Sequence, residues 1–76
     1  MIKMLYYERE IIEKFNLSNV PFPVAHAWIS LAVKQGFIKK VHSFIVGETF
    51  YNFSLFKKRK LIKFFQERYE KYLNRG

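Results

Sequence analysis

PVAHAWISLAVKQGFIKKVHSFIVGETFYNFSL, residues 23–55, changes character at one glycine. Before Gly36, Ala25, Trp28, Ile29 and Ala32 recur at helical spacing and form an apolar stripe. His26, Ser30 and Lys34 recur four residues apart on the other side, with Ala27 and Leu31 beside them. After Gly36, Phe37–Val46 and Thr49–Leu55 are dense in β-branched and aromatic residues, with Gly47-Glu48 between them. The pattern predicts a helix from Pro23 to about Gln35, ended by a left-handed Gly36, then a β-hairpin turning at Gly47-Glu48. Pro23 suits the first helical position, where its fixed φ fits and its missing N–H is not needed.

The flanks read as helices. Met4, Tyr7, Ile11 and Phe15 share a stripe within Met1–Phe15, with Ile12 beside it. Glu8, Glu10 and Glu13 read as a solvated face, and Glu10 with Lys14 is a favourable i,i+4 pair. Pro21 and Pro23 push Val20 and Phe22 toward extended geometry, so residues 18–21 have room for about one turn. Ser54 is placed to cap a last helix whose stripe is Leu61, Ile62, Phe65, Tyr69, Tyr72 and Leu73. The expected class is α+β in one domain, residues 1–76: helix, short turn, helix, strand, strand, helix.

Charge is uneven along this chain. Residues 18–60 hold Lys34, Lys39, Lys40, Lys57, Lys58, Arg59 and Lys60 against one acid, Glu48, a net +6. Residues 1–17 balance to zero and residues 61–76 carry +2, which completes the +8 of the chain. A basic helix and hairpin in so small a chain is the electrostatic footprint of a nucleic-acid binder. Lys57 to Lys60 stand at the start of the last helix, where cations oppose the positive end of the dipole and repel one another. Either an anion such as phosphate relieves them or the first turn frays.

Other chemistry is missing from the sequence. There is no Cys and no Asp, and His26 and His42 fall on different elements. Disulfides and thiolate metal sites are excluded, and clustered ligands or acid–base pairs are not expected. Three glycines do not make a phosphate loop. No enzyme activity, metal or cofactor is therefore expected. No apolar run approaches the about 18 residues that span a bilayer, and no secretory core follows Lys3, so a cytoplasmic protein is expected. Packing alone must hold the fold, and nine Phe, five Tyr and one Trp supply large buried areas.

Small residues on the outward side of the 23–35 helix suit entry into a major groove, where an Ala methyl can meet a thymine methyl. His26 and Ser30 can bond base edges or phosphates. The plainer alternative is an amphipathic helix with a wet face. Trp28 reads as core, because its neighbours on that face are apolar.

The run AWISLAVKQGFIKK…VGETFYNFSL resembles the second half of a winged helix-turn-helix domain. In that family a recognition helix ends in Gly-apolar-apolar, here Gly36-Phe37-Ile38, and a basic strand follows, here Lys39-Lys40. A hairpin wing then closes in aromatic-x-aromatic-Ser/Thr, here Tyr51-Asn52-Phe53-Ser54. The size, the Lys/Ile/Phe/Tyr-rich composition and the lack of Cys are similar to winged-helix transcription regulators of crenarchaeal viruses, plasmids and hybrid plasmid-viruses. The resemblance covers about residues 17–56. It implies a sequence-specific regulator of double-stranded DNA, acting at sites that include its own promoter. It places the recognition role on His26, Ala27, Ser30 and Lys34, and the wing role on Lys39, Lys40, His42 and Ser43. Lys57, Lys58, Arg59 and Lys60 would add affinity through the backbone. Two features depart from the family. The helix before the recognition helix is reduced to a turn, and the wing tip Phe44-Ile45-Val46 is apolar where family wings are often basic. That tip either packs on the body or meets a partner.

Two other functions fit parts of the sequence. The aromatic surplus and apolar tip suit a protein-interaction module. Phe50 and Tyr51 on a hairpin suit an RNA reader that stacks bases. Tyr7, Phe64, Tyr69 and Tyr72 either close the core or form a weak surface through which two protomers pair on DNA.

Overall fold

The computed structural model describes residues 5–75. The order is α1 (Glu8–Lys14), α2 (Phe22–Lys34), β1 (Lys39–Ser43), β2 (Glu48–Asn52) and α3 (Leu55–Asn74), an α+β arrangement of three helices and one antiparallel hairpin.

The first helix is shorter than its periodicity suggests. Met1–Met4 lie outside the described residues, and Leu5–Tyr7 are not helical. Tyr6 instead bridges the free edge of β2: its N–H donates to the Tyr51 carbonyl at 2.8 Å, and its carbonyl accepts the Tyr51 N–H at 2.7 Å. Its ring stacks on Phe53 at 5.4 Å. Sheet pairing and a partly buried ring together outweigh one more helical turn. The helix begins where Glu10 Oε1 accepts the Tyr7 N–H at 2.9 Å, one half of a capping box. It ends at Asn16, φ 59°, with Leu17 N–H on the Ile12 carbonyl at 2.8 Å, a Schellman closure.

Residues 18–20 form a turn and no helix. Leu17 and Val20 on either side of Ser18-Asn19 are buried, which fixes the crossing from α1 to α2. The second helix starts one residue before Pro23 and closes at Gly36, φ +85°, with Phe37 N–H on the Ala32 carbonyl at 2.9 Å. Ala25, Ile29 and Ala32 are fully buried. Trp28 is only partly so, and meets Tyr72 edge-on at 6.0 Å. It lies one helical step to the side of the Ala25–Ile29–Ala32 line, where α3 and solvent share it.

The hairpin turns through Phe44–Gly47, and Glu48 opens β2 instead of sitting in the turn. Lys39 pairs with Asn52, Val41 with Phe50 and Ser43 with Glu48. The strands are shorter than the β-rich runs because Phe37-Ile38 serve the exit of α2 and Phe53 serves the core. Phe15 touches Phe53 at 5.4 Å and Phe65 at 5.1 Å, which ties α1, the exit of β2 and α3. Ser54 precedes α3 in extended geometry but makes no side-chain cap bond. Leu61 and Phe65 reach the core, whereas Ile62 and Leu73 on the expected stripe are exposed. A 20-residue helix is about 30 Å long and outruns a body this small.

Candidate nucleic-acid interface

His26, Ala27, Ser30 and Lys34 all lie exposed on α2, opposite the buried Ala25–Ile29–Ala32 line. Of these, His26 is held in place. Its Nδ1 lies 2.7 Å from Glu8 Oε2, and the same oxygen accepts the Tyr51 hydroxyl at 3.1 Å. Against a carboxylate, Nδ1 carries the hydrogen, and Nε2 is the ring atom left for an outside partner. The Phe22 ring stacks beside the imidazole at 6.0 Å. Glu8, read above as solvated, is mostly covered, with its side chain 16% exposed. It is the positioning residue that the sequence reading missed. The signal was present: Glu8 stands three residues before Ile11 and seven before Phe15, on their helical face. Burial pushes the Tyr51 hydroxyl up to about 12, and the charge and hydrogen bond of Glu8 add to the shift.

The register divides the hairpin residues. Lys40 stands opposite Tyr51 and His42 opposite Thr49, so both share the hairpin face of Tyr51. Tyr51 is joined through Glu8 to His26, which puts that face on the His26 side of α2. Lys39 and Ser43 project from the other face, opposite Asn52 and Glu48. Ser43 has a structural task, since its Oγ accepts the Val46 N–H at 3.3 Å. His42 Nδ1 lies 3.3 Å from Thr49 Oγ1 across the ladder. Glu48 accepts the Tyr7 hydroxyl at 2.9 Å, and the Tyr7 ring covers Phe50 at 4.9 Å. Tyr51 is buried, so the pair suggested as an RNA-stacking platform is not an open one.

The basic run lies inside α3, which is helical from Leu55 onward. Lys57 Nζ donates to the Gly36 carbonyl at 2.8 Å, a cation at the negative end of α2. One repulsive charge of the run is thereby used inside the molecule. Lys58 is half-buried, and Arg59 and Lys60 are exposed. The Lys57 contact brings the start of α3 to the end of α2, so the run meets the segment carrying Lys34 and Lys39 at one corner.

Tyr7 is exposed, Phe64 and Tyr69 pack partly against the core, and Tyr72 meets Trp28 beside it. Phe64 meets Phe37 and Phe65 edge-on, with the Arg68 guanidinium over its ring at 4.7 Å. Among the described residues no group of three or more His, Asp or Glu is placed to hold a metal ion, and no helix is long and apolar enough to cross a membrane. Comparison with known protein families, characterised proteins and solved structures finds no match.

Proposed function

We propose that this chain is a winged helix-turn-helix regulator that binds double-stranded DNA in a sequence-specific manner and performs no catalysis. In this reading α2 enters the major groove, the hairpin is the wing, and the corner formed by Lys34, Lys39, Arg59 and Lys60 lies on the phosphate backbone. One observation carries it: His26, Ala27, Ser30 and Lys34 share the exposed face of α2, Lys40 and His42 share the hairpin face of Tyr51, and the basic run starts against the end of α2 through Lys57. Phosphate contacts set register and affinity, and side chains at the base edges set the sequence. The Glu8 carboxylate supports the role of His26, because a base reader gains from a fixed ring. The reading places the chain with the regulators that crenarchaeal viruses and plasmids carry, working in the cytoplasm at sites that include its own promoter.

A salt titration on one duplex tests it. About five phosphate contacts per protomer give a log–log slope of roughly −4 to −5, and a flat line would sink the proposal. Footprinting upstream of its own gene then locates the operator. A protein-interaction module is the second reading, favoured by Leu55 and Phe56 standing 76% and 94% exposed beside the basic corner. That reading expects partner binding that salt barely weakens.

A further inference from the structure

The end of the hairpin is built against the ordinary chemistry of turns. Four-residue turns favour Gly, Asn, Asp and Ser, yet Phe44, Ile45 and Val46 stand here 91%, 98% and 61% exposed. None of the three packs on the body. The turn is nevertheless stiffened from within. Gly47 N–H donates to the Ser43 carbonyl at 2.7 Å, and Val46 N–H donates to Ser43 Oγ. Phe44 is braced edge-on by the His42 ring at 5.2 Å, and His42 is itself tied to Thr49. A loop that only needed to be soluble would carry neither the apolar apex nor the bracing.

Charge and dimensions select the occupant. The strand leading to the apex carries Lys39, Lys40 and His42. The one acid at its foot, Glu48, is drawn toward the body by the Tyr7 hydroxyl. Five residues of strand reach about 17 Å, and the minor groove next to an occupied major groove lies half a helical turn away, also about 17 Å. Apolar side chains on minor-groove proteins act as wedges between base steps, unstacking them and bending the duplex.

We propose that Phe44 and Ile45 form such a wedge, so that this protein bends the DNA it binds by unstacking one base step beside its site. This rests on the reading of the chain as a duplex-DNA binder. Preference for a pliable step such as TA or CA/TG would follow at a position the recognition helix never touches. The bend would make the protein an architectural element of its promoter as well as a reader of it.

The test uses the full chain and a duplex selected by it from a random pool, with 2-aminopurine scanned through the flanks and a donor–acceptor pair on the ends. The wild type should raise aminopurine fluorescence several-fold at one step and shorten the end-to-end distance by a bend of about 20–90°. Phe44→Ser with Ile45→Ser should abolish both signals and keep the salt slope; both positions are so exposed that the fold is not at stake. Wild-type binding without unstacking, or a bend that survives both substitutions, overturns the wedge alone. Failure of the wild type to bind any duplex overturns the DNA reading with it. Two further results also overturn the wedge: apex-dependent sedimentation with phosphatidylserine vesicles, and apex-dependent self-association without DNA.

Discussion

At the residue scale, Glu8 holds His26 and Tyr51 with one oxygen, so α2 and the hairpin are coupled through a single carboxylate. Ser30→Ala and His26→Ala should each weaken the preferred duplex by about 1–3 kcal/mol and leave random DNA unchanged. Lys40→Ala should weaken both alike. Affinities on the two duplexes decide this, and equal losses on both would remove base reading from α2. Tyr51 makes a separate prediction. Its hydroxyl titrates near 12 in the folded protein against an ordinary 10.0. Folded and unfolded chains both hold the proton below pH 10, so stability is full there. Between 10 and 12 the unfolded chain releases it and the folded chain does not, so stability falls as pH rises. Tyr51→Phe should cost about 1 kcal/mol at neutral pH and remove that part of the alkaline loss. Urea melts of both proteins across the range would show the difference narrowing.

At the element scale, both short helices end in the same hydrogen-bonded closure, one on Asn16 and one on Gly36. The space around Gly36 is open, so its cost to any other residue is purely that of a positive φ. Gly36→Ala should lose about 1–2 kcal/mol and Gly36→Asn less, measured by thermal unfolding. The Gly36 carbonyl is also the acceptor for Lys57, which gives one of the four consecutive cations an internal partner. Gly36 and Pro23 were legible as punctuation, because each acts through its own backbone. The bounds of α1 were not. Tyr7 and Phe15 fit a helical stripe, but Tyr6 had a better use on the edge of a strand 45 residues away.

At the scale of the whole molecule, the extents of 44 × 26 × 22 Å describe a body with projecting parts. The radius of gyration is 12.7 Å, against about 11.4 Å for an average domain of this length. The hairpin apex and the end of α3 are the parts that project, and neither belongs to the core that the described residues form. A single small domain covers only a short stretch of duplex, and paired protomers read half-sites about one helical turn apart. Calorimetric titration of one operator should end at two proteins per duplex. Assembly on DNA needs only a weak contact, because adjacent half-sites raise the effective concentration. Tyr7 is the exposed candidate for that contact; Phe64 and Tyr69 are partly used in packing against the core. A one-to-one endpoint on the full site would overturn the paired arrangement.

The sequence by itself determined the order of the elements, the place of each helix end marked by Pro or Gly, the buried line of α2 and the concentration of charge in residues 18–60. Those are local properties, carried by spacing and by the backbone chemistry of single residues. Only the tertiary structure decided that Tyr6 is a strand partner, that Glu8 joins His26 to Tyr51, that Lys57 caps α2, and that Phe44–Val46 stand uncovered. Each of these depends on which distant segment comes near. Tyr51 and Glu8 are 43 residues apart, and Lys57 and Gly36 are 21 apart. A contact across such separations is set by how helices and hairpin pack together, and no periodicity within one element records it.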